Sequence, residues 1–123
     1  MNILLDTNFI LECVKNKIDL DDLKIYGNLF LPIEVYSELQ NILLDKRQKE
    51  KNKAIAKLAL QILDKKNLKT ISLEIDKVDD GIINYVRRND NIIVATLDKE
   101  LKSRLEGIAK ILTIRNKKKI ILL

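Results

Sequence analysis

Five carboxylates stand where this sequence could do chemistry: Asp6, Glu38, Asp79, Asp80 and Asp98. Asp6 ends a short apolar run in "NILLDTN", and Asp98 follows another, "IIVAT". Asp79 and Asp80 open a stretch with helical spacing, "VDDGIINYVRR". The chain has no histidine and a single cysteine, Cys13. Zero histidines exclude Ser-His-Asp triads, Cys-His pairs and His-ligated zinc. A carboxylate cluster then has one natural use, because hard oxygen ligands hold Mg2+ or Mn2+. Such an ion activates water and stabilises the charge that develops on a phosphate. Acids gathered without a metal repel one another, which raises some of their pKa values.

The elements that must position these acids alternate. "NILL" (2–5) reads as a buried strand. "TNFILECVKN" has helical spacing, and "DLDDLKIYG" reads as a short helix ending near Gly27. "LFLP" (29–32) is a second strand, stopped by Pro32. A helical region over 33–66 follows, broken by the polar "DKRQKEKNK". "LKTISLE" (68–74) is a strand, "VDDGIINYVRR" a helix and "NIIVAT" (91–96) a strand. "DKELKSRLEG" is a helix closed by Gly107, "AKILTIR" a last core strand, and "KKKIILL" an edge strand or tail. Alternating strands and helices imply βαβ units, hence an α/β fold with a central parallel sheet and helices on both faces. No repeat or linker interrupts residues 1–123, so a single domain is expected.

Ligands of open parallel sheets bind outside the carboxyl ends of the strands. Asp6, Asp98 and the Asp79–Asp80 pair all belong to that edge. Glu38 lies inside a helix. With Val35 at zero and about 100° per residue, Ile42 falls near −20° and Glu38 near −60°, beside the apolar stripe. A charged residue there needs a partner, a metal or a route to water. Each acid also has an ordinary reading. Asp6 and Asp98 could be N-caps, Asp79 and Asp80 could answer the helix dipole, and Glu38 could reach solvent. Convergence of several on one edge favours a site, and capping leaves Glu38 unexplained. Thr7, Asn8 and Thr96 could orient such a site by hydrogen bonds or serve as turn and cap residues.

The net charge is +5, unevenly spread. Lys99 to Leu123 carry eight Lys/Arg against two Glu, and the preceding residues carry fifteen against sixteen Asp/Glu. A basic end on a near-neutral body points to a polyanionic partner. No apolar run is long enough for a membrane span and no leader pattern is seen, so a cytoplasmic location is expected.

Four blocks, "ILLDTNFIL" (3–11), "LPIEVYSEL" (31–39), "VDDGIINYV" (78–86) and "IIVATLDKELKSRL" (92–105), resemble the acidic blocks of the PIN-domain nucleases in order and spacing. The "VDD…VATLDKEL" stretch and "ILTIRNKKKI" are most similar to archaeal small PIN proteins and to ribosomal-RNA-processing PIN nucleases, with VapC-type toxins next. The resemblance implies a Rossmann-like three-layer sandwich and metal-dependent endoribonuclease activity. It carries over Asp6, Glu38, Asp80 and Asp98 as the four acids. Helical phase puts Asp79 nearer the apolar stripe than Asp80, so either could ligate. Glu100 stands where some family members place a further acid. The basic residues Lys46, Arg47, Lys49, Lys51, Lys53 and Lys57, with Arg115 and Lys117, Lys118 and Lys119, are then expected to contact RNA phosphates. The expected partners are RNA and, for a toxin, an antitoxin protein, with a homodimer left open. The rival reading is a non-catalytic PIN-like module that binds RNA or protein.

Overall fold

Apolar residues in short runs build the sheet. The strands are β1 (Asn2–Leu5), β2 (Asn28–Pro32), β3 (Lys69–Ile71), β4 (Ile92–Ala95), β5 (Lys110–Arg115) and β6 (Lys119–Leu122). All four residues of β4 are buried, as are the last three of β1. That burial suits parallel strands covered on both faces. The helices are α1 (Thr7–Lys15), α2 (Ile33–Leu44), α3 (Glu50–Lys66), α4 (Val78–Arg88) and α5 (Lys99–Leu105), with a 3-10 turn over Leu20–Ile25. This computed structural model describes residues 1–123. No helix is long and apolar enough to cross a membrane.

The strand order is β3-β2-β1-β4-β5-β6. The first five strands run parallel, and β6 is antiparallel to β5. The tail "KKKIILL" therefore becomes an edge strand. Chain order runs outward in opposite directions on either side of β1. Right-handed crossovers then place the connections among β1, β2 and β3 on one face and those from β3 through β5 on the other. Helices α1, α2 and α3 pack on one another, and α4 packs on α5. One apolar core of 29 buried residues joins the layers, with Phe9, Ile10, Val35 and Leu39 fully buried in it alongside Ile82 and Leu101.

One boundary departs from the sequence reading, and its cause is a contact distant in the chain. The expected strand over 68–74 keeps only Lys69–Ile71 in the ladder. The carboxylate of Glu34 accepts the Leu73 amide at 3.0 Å and the Ser72 hydroxyl at 3.2 Å, and Glu74 turns to φ 63°. These bonds draw the chain out of the sheet before α4. Close packing then fixes α4, for a Cβ at Gly81 would meet Leu73 Cβ at 2.8 Å. The long region 33–66 breaks where the polar segment was expected to break it, at 45–49, and there the Asp45 carboxylate accepts the Arg47 amide at 2.9 Å.

Candidate active site

The strand order reverses at β1, so a crevice opens at the carboxyl ends of β1 and its neighbours β2 and β4. A cavity of about 420 Å3 lies there, lined by Asp6, Thr7, Asn8, Glu38, Asn41, Ile42, Asp79 and Asp98. Four carboxylates from four separate chain segments thus face one space. Asp6 follows β1, Glu38 sits on α2, Asp79 opens α4, and Asp98 joins β4 to α5.

Asp6 is the deepest of them, only 4% exposed. Its backbone amide donates to Ala95 O at 3.0 Å, which ties the end of β1 to β4. Its Oδ1 accepts the Thr7 amide at 2.8 Å and its Oδ2 accepts the Thr96 hydroxyl at 2.7 Å. A helix-capping Asp normally accepts from the second or third amide of its helix. Asp6 instead takes the first, Thr7, and directs its other oxygen across the sheet. Burial pushes its pKa up to about 6; the Thr96 and Thr7 hydrogen bonds oppose that rise, and the charges of Asp79 and Glu38 add to it.

Two hydroxyls hold the acids in register. Thr96 is fully buried, donates to Asp6 and accepts the Asp98 amide at 3.1 Å. Thr7 donates its amide to Asp6 and its hydroxyl to Glu38 Oε1. Glu38 sits exposed at the rim, turned toward Asp6 by that bond. Asp98 combines both sequence readings. Its Oδ1 accepts the Leu101 amide at 3.0 Å and caps α5, while the residue lines the cavity.

The adjacent acids on α4 separate. Asp79 faces the cavity, half-buried, and its pKa is raised first by burial and then by the charge of Asp98. Asp80, onto which the resemblance carried the third acid, does not line the cavity; its carboxylate pairs with Arg104 at 3.0 Å. Successive helical residues point about 100° apart, so only one of the two can face the crevice. Glu100 stays exposed outside the lining, close enough to add to the rise at Asp79. Asn41 was missed. It lies three residues after Glu38, on the same helical face, and that spacing was its available signal.

The donor chemistry fits a hard divalent ion. None of the four cavity carboxylates is neutralised by a Lys or Arg within ion-pair distance. No group of three acids is drawn close enough to cage an ion by itself. An ion here would therefore be held by one or two of these carboxylates and would keep waters or substrate phosphates in its other positions.

The predicted RNA-contacting residues fall in two places. Lys46, Arg47 and Lys49 occupy the α2–α3 turn, and Lys51, Lys53 and Lys57 lie on α3. A groove whose lining includes Glu12, Lys15, Gln48 and Asn52 adjoins the acid cavity, with which it shares Asn8 and Ile42. Lys117, Lys118 and Lys119 line a separate cavity with Lys15 and Lys17.

Fold and site together define an α/β protein of the PIN type: a mostly parallel sheet with clustered acids at its switch point. The chain belongs to the PIN-like domain family, whose profile matches residues 3–117. It is 36% identical to Ribonuclease VapC4 of Methanocaldococcus jannaschii over 119 residues, covering 92% of this chain and 89% of that protein. Its fold is similar to the PIN domain endonuclease Utp24, with a TM-score of 0.78 and 27% identity over 98% of this chain and 90% of that one.

Proposed function

We propose that this chain is a metal-dependent endoribonuclease that hydrolyses phosphodiester bonds in single-stranded or looped RNA. The observation that carries the reading is the cavity shared by Asp6, Glu38, Asp79 and Asp98, with Asp6 buried and held on both oxygens. Membership of the PIN family and homology to a ribonuclease support it.

Asp6, with Asp79 or Asp98 as a second carboxylate, would hold Mg2+ or Mn2+, with Glu38 closing the rim. When bound, that ion lowers the pKa of a water and offsets charge on the phosphate. The chain's own residues do the rest. Asp6 Oδ1 and Oδ2 each keep a lone pair beyond their protein hydrogen bonds, so both can still accept. Thr96 and Thr7 fix the orientation of Asp6, and Thr7 also fixes Glu38. Glu38, exposed and bonded through Oε1, leaves Oε2 to accept a proton from the attacking water. Asn8 and Asn41 offer amide donors to phosphate oxygens at the wall.

Two roles fit this chemistry: RNA processing, or a toxin restrained by an antitoxin protein. The test is cleavage of mixed RNAs with Mg2+ or Mn2+ and with EDTA, for wild type and Asp6→Asn. Cleavage that is abolished by EDTA and by the substitution is expected. RNA binding without cleavage would instead make the chain a non-catalytic module. Expression in growing cells separates the roles: growth arrest marks a toxin, and sedimentation of the same protein reads out any homodimer.

A further inference from the structure

The acid cavity has a basic neighbour that the runs of lysine in the sequence conceal. Lys102 lies on α5, three residues after Lys99 and so on the same helical face. Helical side chains lean toward the N-terminus of their helix, which carries the Lys102 ammonium back toward Asp98. Its Nζ donates to the Thr113 hydroxyl at 2.9 Å. Thr113 is on β5, only 3% exposed. Residues two apart share one face of a strand, so Arg115, the last residue of β5, lies on the same face as Thr113.

This group has no ion-pair partner. No carboxylate lies within ion-pair distance of Lys99, Lys102 or Arg115. Lys102 is half-buried and has one hydroxyl partner for its three donors. Burial, then the charges of Arg115 and Lys99, hold its pKa below the usual lysine value, while Asp98 acts in the opposite sense. Asp98 does not outweigh them, and a partly sequestered ammonium crowded by two cations is costly without a closer anion. The sheltered hydroxyl of Thr113 aims it at one place, whereas a freely solvated lysine would sample many.

We propose that Lys102, braced by Thr113 and flanked by Lys99 and Arg115, seats a backbone phosphate of the RNA strand next to the phosphodiester held in the acid cavity. The proposal rests on the ribonuclease reading and adds to it a fixed phosphate subsite. A lysine contacts phosphate as a point charge and reads no base. The subsite therefore sets where the strand lies without selecting its sequence. Lys102 acts on the RNA and Thr113 acts through Lys102, as a positioning residue.

The test is fluorescence anisotropy of labelled oligouridylate and oligoadenylate in EDTA, where cleavage is off, over a series of KCl concentrations. Lys102→Gln should bind both RNAs roughly three- to tenfold more weakly and flatten the log–log salt slope by about 0.7. Lys102→Arg should restore the slope. Thr113→Val should weaken binding while keeping the slope, because the charge stays and only its brace is removed. Wild-type affinity and slope in Lys102→Gln would overturn the proposal, as would a loss confined to one RNA or the absence of RNA binding by wild type. Should Lys102→Gln fail to fold, Thr113→Val decides, and unchanged affinity there overturns the proposal. Cleavage by wild type in Mn2+ is scored separately. Cleavage with unaltered Lys102→Gln binding removes the subsite and leaves the nuclease reading. Weakened Lys102→Gln binding without any cleavage does the reverse.

Discussion

In metal-free protein, Asp6→Asn should raise stability at neutral pH by an amount that depends on pH. Asp6 titrates at about 6 in the folded chain against an ordinary aspartate value of 3.8. A raised acid pKa means that the folded state binds its proton more tightly than the unfolded one. The resulting stability is therefore fully present below pH 3.8 and is lost as pH rises through 6. At 1.36 kcal/mol per unit, the loss is about 3 kcal/mol. For a chain of this length that corresponds to roughly 10 °C in Tm. Asn carries no charge and keeps an acceptor for the Thr7 amide, so it escapes the penalty. The assay is urea or thermal unfolding of both proteins in EDTA at several pH values from 3 upward. The stability of wild type relative to the variant should fall by about 3 kcal/mol between acid and neutral pH. Comparison with the variant cancels the other acids, except for the part of the Asp79 and Glu38 repulsion that Asp6 itself supplies. A variant less stable than wild type at neutral pH, by a margin independent of pH, would refute the reasoning and make Asp6 a structural residue.

Mg2+ or Mn2+ should raise the Tm of wild type in proportion to the logarithm of its concentration once saturating, and should do so far less in Asp6→Asn; calorimetry with each ion checks this. Asp79→Asn should lower cleavage more than a hundredfold, whereas Asp80→Asn, which removes only the Arg104 ion pair, should cost no more than roughly tenfold; single-turnover rates separate them. Thr96→Val removes the partner of Asp6 Oδ2 and of the Asp98 amide and should destabilise the fold by about 1–3 kcal/mol in urea unfolding, with a larger loss of activity. Replacing Lys117, Lys118 and Lys119 together by Gln should weaken binding to different RNAs alike and flatten the salt slope by about 0.7 for each phosphate left unneutralised. If that variant binds normally but scatters light more, the lysines serve to protect the β6 edge from sheet-to-sheet pairing.

Much of the architecture was legible because the signals were local. β1 and β4 are short apolar runs bounded by polar residues. α4 shows a clean apolar stripe at Val78, Ile82 and Val86, with Tyr85 beside it. The polar segment after Leu44 leaves nothing to bury, so the helical region breaks there. Alternation then determined a mostly parallel sheet, and the sheet determined which edge receives the acids. The gathering of acids on one edge was legible for the same reason: in a parallel sheet the carboxyl ends of the strands and the starts of the helices that follow them lie on the same edge.

The tertiary structure decided what depends on partners distant in the chain. The strand over 68–74 loses its second half because Glu34 captures the Leu73 amide, a hydrogen bond across 39 residues that no local pattern encodes. Asp79 rather than Asp80 faces the cavity because α4 is pressed against Leu73 at Gly81 and Arg104 takes the other acid. Thr96 could be read as a turn residue until β1 and β4 came together and set its hydroxyl against Asp6, 90 residues away. The lysine runs stand out in the sequence because charge counts see density. Lys102 stands apart by its burial against Thr113, and burial is a property of packing that composition does not carry.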